Sequence, residues 1–234
     1  MSDTRAGTAA ERREAEQARQ HDLILRYSAA ARTRHWLTAL AFVLAALSGL
    51  ALFHPALFGL SGLFGGGPWT RILHPYLGLL MLLGFARLAA RLGTAETRMQ
   101  PRDWAWLRQY RDVVAGREER LPEVGRYNAG QKLIFYVAVV CLALLLLSGV
   151  VSWRAYFSAA FSVGLIRYAS LVHALVALVL ICTIIVHVYA AIWVKGSLHA
   201  MTAGTVTPGW AWKHHRAWFR ETMTHAANPR PRAD

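Results

Sequence analysis

YASLVHALVALVLICTIIVHVYAAIWV, residues 168–194, is a run of 27 residues with no Lys, Arg, Asp or Glu. It exceeds the roughly 20 apolar residues that a helix needs to cross a bilayer, so it reads as a membrane span. It also holds two histidines, His173 and His187. Fourteen positions at about 100° each bring the second imidazole to within roughly 40° of the first while climbing about 21 Å. The two rings therefore share one helix face at opposite depths. Ionisable side chains inside a span are costly, face a bundle interior and mark a functional path. Two on one stripe point to two stacked cofactors.

Three further uncharged runs lie upstream. Leu37 to Phe53 follows Arg26, Arg32, Arg34, His35 and Trp36, giving a first span over about 36–53 with His35 at its start. Residues 57–69 are rich in Gly and Phe and end in Gly65-Gly66-Gly67-Pro68, which predicts a turn at the far membrane surface. The second span covers about 72–90, with His74-Pro75 read as part of its first turn. The third covers about 133–153, where Trp153 and Tyr156 suit an interfacial belt. The fourth is the opening run, about 168–194. Between spans two and three lies a long polar segment, expected on or near the membrane surface, with a Trp104-Ala105-Trp106 patch.

The ends differ in character. Residues 1–24 read as a mobile amino-terminal tail or a short surface helix, with no apolar stretch resembling a signal peptide in the first twenty. Residues 25–200 form the four-span domain, and 201–234 a basic, aromatic tail in which WAWKHHRAWFRE, 210–221, predicts an interfacial helix. The final residues read as disordered. Lys132 and Lys195, at span ends, are expected to reach outward to lipid headgroups.

Composition agrees with this reading. Hydrophobic residues make up 55% of the 234, and the 26 basic residues behind the formal charge of +13 fall mostly outside the apolar runs, with no nucleic-acid motif beside them. They act as topology signals. Seven precede span one, one lies between spans one and two, ten between two and three, two between three and four, and six follow. The positive-inside rule then places both termini in the cytoplasm. The two cysteines, Cys141 and Cys182, lie inside apolar runs, so an iron-sulfur or zinc cluster would have to belong to a partner. No Cys-x-x-Cys-His occurs, which excludes covalent c-type haem attachment.

Topology sorts the histidines by depth. Span one starts inside, placing His35 near the inner face, and span two starts outside, placing His74 near the outer face. Span four runs outside to inside, so His173 is outer and His187 inner. The expected pairs are His35 with His187 and His74 with His173. Two imidazoles facing across a helix bundle suit the axial positions of a b-type haem, and with both positions filled the chemistry is one-electron transfer. A lone intramembrane histidine is more often a hydrogen-bonded interior residue than a haem ligand, but four that pair by depth are much harder to read that way. Copper or zinc would need several ligands converging at one depth, whereas these separate into two pairs. His54, His199, His214, His215 and His225 are read as non-ligands. The expected fold class is thus all-α: an integral membrane four-helix bundle holding two b-type haems.

Arg34-His35-Trp36, His74-Pro75, the His173 and His187 pair, Arg126-Tyr127-Asn128-Ala129-Gly130-Gln131-Lys132 and His214-His215-Arg216-Ala217-Trp218-Phe219-Arg220-Glu221 together form a recognisable set. On these motifs the chain resembles, over roughly residues 25–221, the cytochrome b, or gamma, subunit of respiratory membrane-bound formate dehydrogenases. The resemblance implies a subunit in the bacterial inner membrane, working with an iron-sulfur subunit and a molybdenum or tungsten subunit that oxidises formate. Electrons would pass through the outer haem and then the inner haem to quinone, menaquinone or ubiquinone, with proton uptake on the cytoplasmic side. The same histidine pattern is shared by hydrogenase cytochrome b subunits and stand-alone diheme cytochromes, which remain the alternatives. The resemblance maps a quinone site beside the inner haem onto Asn128 and Gly130. Asn128 and Gln131 have the chemistry to hydrogen-bond a quinone carbonyl, and Gly130 permits close approach. They equally suit an N-cap with its reciprocal third-position partner at the start of span three.

Overall fold

A computed structural model describes residues 8–92 and 94–227. In chain order the elements are α1 (Ala9–Gln20), β1 (Ile24–Leu25), α2 (Ala29–Phe53), a 3-10 helix (Pro55–Phe64), α3 (Gly67–Ala89), α4 (Thr94–Thr97), α5 (Pro101–Arg108), α6 (Tyr110–Val114), a 3-10 turn (Glu118–Arg120), α7 (Ala129–Ser152), a second such turn (Ser158–Ala160), α8 (Val163–Trp193), α9 (Ser197–Thr202), β2 (Thr205–Val206), α10 (Pro208–His214) and α11 (Arg216–Ala227). The fold is helical, and α2, α3, α7 and α8 are each long and apolar enough to cross a membrane. The chain is a multi-pass membrane protein. Its one ladder among the described residues is two residues long, pairing Ile24 with Val206 and Leu25 with Thr205.

The chain divides into two compact units, one made of residues 33–91 with 134–190 and the other of the remaining segments. The first contains the apolar body of the four long helices. Backbone polar groups have no water to bond in hydrocarbon, so a chain this apolar can place them there only within helices. The helices share a core of Ala41, Ala45, Met81, Ala138, Cys141, Leu142 and Leu180, with Phe85, Val176 and Ile184 packed against it. Small residues let the backbones approach closely where no hydrophobic force drives them together. Large apolar side chains such as Leu37, Leu83 and Leu147 point outward and are exposed, as lipid-facing residues are. At one end Tyr76 and Tyr156 share a hydroxyl hydrogen bond of 3.1 Å, with the Trp153 ring edge-on to both.

The helices overrun the expected spans. α2 begins at Ala29, so His35 sits in its second turn and not at its start. α3 begins at Gly67 with Pro68 in its first turn, which leaves Pro75 in the helix interior. α8 begins at Val163 and takes in Arg167. The charges that mark where lipid ends are arginines, which are good helix formers, so the helices continue through them. The expected turn at 65–68 is present: Gly65 and Gly66 both take positive φ, 86° and 94°, after a 3-10 helix capped by His54, whose Nδ1 accepts the Ala56 N–H.

The second unit is a folded polar body. In α1, Thr8 and Glu11 form a reciprocal capping box, and Glu11 and Glu14 also accept hydrogen bonds from the Ser28 hydroxyl and the Ala29 N–H, placing carboxylates at the first turn of α2. Of the two readings of the amino-terminal segment, residues 9–20 take the helix, and 1–7 lie outside the described residues. The tail is not one interfacial helix. α10 and α11 break at His215, and Ala211 and Trp218 are buried with Ile24, Ala200 and Val206 in a second core. Residues 228–234, read as disordered, lie outside the described residues.

Arg26 organises this unit. It is 1% exposed, lies 4.3 Å from the Trp218 ring and donates to the Arg126 carbonyl, while Arg126 donates back to the Arg26 carbonyl. His215 Nδ1–H donates to the Gly125 carbonyl at 2.8 Å, which leaves Nε2 as the acceptor facing the Arg26 guanidinium at 3.4 Å. Burial first, and Arg26 second, lower the His215 pKa from 6.5 to about 3. Between those values the unfolded chain takes up a proton that the folded chain does not, so stability is full above 6.5 and is lost as pH falls towards 3. In a pH series of unfolding midpoints, His215→Gln should flatten that acid limb relative to the unmodified protein. An unchanged acid limb would contradict the assignment.

The segment between α3 and α7 holds a further departure. Lys132 does not reach to headgroups. It is 4% exposed, and its Nζ donates to Asp103 Oδ2 at 2.8 Å and to the Arg98 carbonyl at 3.0 Å.

Candidate functional site

α8 carries His173 and His187, α2 carries His35 and α3 carries His74. The structure brings His35 to His187, with ring centroids 6.3 Å apart, and His74 to His173, at 6.1 Å. Two imidazole-to-metal bonds of about 2 Å, each with about 1 Å from nitrogen to ring centre, require close to this separation. Each pair therefore has the separation that one metal ion between two imidazoles needs, with the rings inclined at 50° and 77°. Among the described residues no three His, Cys, Asp or Glu come together as a metal cluster.

The surroundings of the His74–His173 pair fix which nitrogen faces the gap. Ser48 Oγ lies 2.9 Å from His74 Nδ1 and donates its own proton to the Ala45 carbonyl at 3.0 Å. Ser148 repeats this, 3.0 Å from His173 Nδ1, with its proton on the Leu144 carbonyl. With each hydroxyl proton already committed, the imidazole Nδ1–H must be the donor, and Nε2 is left unprotonated for a metal. The next residue in each case is glycine. A Cβ on Gly49 would stand 3.0 Å from His74 Cε1, and one on Gly149 would stand 3.3 Å from His173 Cε1. The serine holds the ring and the glycine makes space for it. Sequence reading missed all four residues; Leu-Ser-Gly occurs at 47–49 in the first span and at 147–149 in the third, but also at 60–62 in the 3-10 helix between α2 and α3, so the tripeptide alone does not mark them.

The His35–His187 pair is built differently. His35 is edge-on to Trp36 at 5.3 Å, and its buried Nδ1 has no hydrogen-bond partner. The unit containing both pairs has six arginines and no Asp, Glu or Lys. These imidazoles thus have no carboxylate beside them. They fit a metal held by neutral nitrogens inside a flat porphyrin, as in a bis-histidine haem.

Gly49→Val tests the fit directly. The added methyls meet the His74 ring, so the pigment bound by that pair should fall by about half or more while the other site is unaffected. Haem content by visible absorption measures this, and an unchanged content would contradict it.

The carboxamides of Asn128 and Gln131 lie at the start of α7. Asn128 Oδ1 accepts the Gln131 N–H at 2.8 Å and Gln131 Oε1 accepts the Asn128 N–H at 2.9 Å, so the reciprocal cap is formed. A Cβ on Gly130 would stand 3.4 Å from Asn128 Oδ1 and 3.5 Å from the Trp106 ring.

Four apolar helices around one core, with two imidazole pairs set between them, fit a membrane-embedded cytochrome of the b type. The chain belongs to the prokaryotic cytochrome b561 family, whose sequence pattern matches residues 26–204. It is 43% identical, over 87% of its length and 95% of the relative's, to the cytochrome b556(fdo) subunit of formate dehydrogenase from Escherichia coli (strain K12). It is 38% identical to the cytochrome b556(Fdn) subunit of the nitrate-inducible formate dehydrogenase of the same strain, over 85% and 91% of the two chains. It is 36% identical to the formate dehydrogenase cytochrome b556 subunit of Haemophilus influenzae, over 86% and 84%. The resemblance read from the motifs is thereby borne out, and haem b is the cofactor of a cytochrome b.

Proposed function

We propose that this chain is the diheme cytochrome b subunit of a formate dehydrogenase complex, taking electrons from an iron-sulfur subunit and delivering them to membrane quinone. The observation that carries it is the pair of facing imidazole sites, 6.1 Å and 6.3 Å between ring centroids, in a chain 43% identical to a formate dehydrogenase cytochrome subunit. His74 with His173 would hold the outer haem and His35 with His187 the inner one. The count of basic residues supports cytoplasmic termini and a location in the bacterial inner membrane. Bound at these sites, haem b would supply a reversible one-electron couple. The chain supplies the neutral nitrogens and the apolar walls. Formate oxidation itself is assigned to a molybdenum or tungsten subunit.

Asn128, Gly130 and Gln131 are assigned to the quinone. The cap and the quinone roles are compatible, because the cap occupies the two carboxamide oxygens and leaves the NH2 groups as donors. A quinone carbonyl needs donors. Asn128→Asp keeps the capping oxygen and removes the donor, and Asn128→Ala removes both. Both variants should slow quinone reduction about tenfold or more, at roughly 1–2 kcal/mol for a lost hydrogen bond, with haem reduction by formate intact. A purely capping role leaves Asn128→Asp at the unmodified rate. For the assignment as a whole, the tagged chain purified from its native membrane should bring down formate oxidation with an artificial dye acceptor. Hydrogen oxidation in its place, or a chain that purifies without a large partner, would contradict the reading.

A further inference from the structure

The two histidine pairs are chemically unequal. Both members of the His74–His173 pair have a serine oxygen at Nδ1, 2.9 Å away for Ser48 and 3.0 Å for Ser148, and each also has a backbone carbonyl, of Ala45 and of Leu145, within hydrogen-bonding reach. In the other pair, His35 Nδ1 is buried without a partner. The serines are themselves inaccessible, 0% and 6% exposed, so water does not compete for these bonds. No carboxylate exists anywhere in this unit to serve in their place.

A hydrogen bond accepted from Nδ1–H increases the electron density that the opposite nitrogen offers to a metal. Greater donation stabilises ferric over ferrous iron, so a haem with two such ligands has a lower reduction potential than one with none, other things being equal. Resting on the diheme reading above, we propose that Ser48 and Ser148 are positioning residues that set the His74–His173 haem at the lower potential and so give electron flow its direction, from this haem towards the His35–His187 haem. Each hydroxyl does two things. It locks its histidine in the tautomer with Nε2 free, and it withdraws the Nδ1 proton towards oxygen. The repeated Leu-Ser-Gly in α2 and α7 is thus one device used twice at a single haem.

The test is an equilibrium redox titration of both haems in the complex as isolated, with His35→Ala used to assign the His74–His173 signal. The unmodified protein should show that haem as the lower-potential one. In Ser48→Ala/Ser148→Ala its potential should rise, reducing the equilibrium constant for passing an electron to the other haem about tenfold, or about 59 mV for a one-electron couple. The His35–His187 potential should stay fixed, and both haems should remain six-coordinate and low-spin. Threonine at both positions keeps the hydroxyl and should restore the unmodified value. Cysteine, a weaker acceptor that still fills the space, should shift the potential in the same direction as alanine, which keeps the test decisive if the alanine variant loses haem. A His74–His173 haem of higher potential in the unmodified protein, or variants that keep both haems at unmodified potentials, would overturn the proposal. Two haems with unshifted potentials sink only the role of the serines, whereas a protein with no haem at either pair sinks the diheme reading first.

Discussion

His187→Ala is expected to remove one haem and stop quinone reduction while leaving the other haem bound and partly reducible by formate. The imidazole faces His35 across 6.3 Å and nothing among the described residues replaces it as a ligand, since no other His, Cys, Asp or Glu clusters there. One axial nitrogen does not hold a bis-histidine haem in its low-spin form. The second site lies fourteen residues away on the same helix, a rise of about 21 Å, too far for the lost side chain to be felt directly. Val176, Leu180 and Ile184 keep α8 on the shared core between the two sites, so the helix should stay in place. Haem content should fall by about half, and steady-state quinone reduction by about a thousandfold or to background. Survival of both haems in this variant would show the pairing to be wrong.

Lys132→Ala should destabilise the protein by about 3–5 kcal/mol, because it leaves the Asp103 carboxylate buried without its cation. The two side chains are 4% and 7% exposed and their ion pair measures 2.8 Å. The double variant Lys132→Met/Asp103→Leu should recover most of that loss, since replacing both charges by apolar groups removes the unpaired one. It should stop short by about 1 kcal/mol, because Asp103 Oδ2 also accepts the Gln100 N–H at the start of α5. Unfolding midpoints of the detergent-solubilised protein measure both. A single variant within about 0.5 kcal/mol of the unmodified protein would mean the pair contributes nothing.

These two residues show what a linear reading reaches. The histidines were legible because their positions within uncharged runs carry depth, and depth alone set the pairs that the structure brings together. Lys132 was not, because its partner lies 29 positions away in a segment without a strong periodic signal. A lysine at the end of an apolar run looks the same whether it meets lipid or a buried aspartate. The helix ends are not legible from the apolar runs for a related reason: Arg32, Arg34 and Arg167 bound the uncharged stretches, and the helical backbone has no reason to stop with them. The carboxy-terminal tail was read by composition as one helix. Its break at His215 depends on tertiary contacts with Arg26 and Gly125 that composition does not contain.

The residues around His74 and His173 were the least legible. Serine in an apolar span is unremarkable, and glycine more so, until the ring it touches is known. Ser48 and Ser148 acquire meaning only beside His74 and His173. The asymmetry between the two histidine pairs therefore comes from three-dimensional placement, whereas the shared helix face of His173 and His187 is written in their spacing.

The most direct measurement is a reduced-minus-oxidised visible spectrum of the purified complex, with a count of haem per copy of this chain and formate as the reductant. Two low-spin b haems per chain, both reduced by formate, is the predicted result. A chain that carries no haem, or two haems that formate leaves oxidised, would contradict the account.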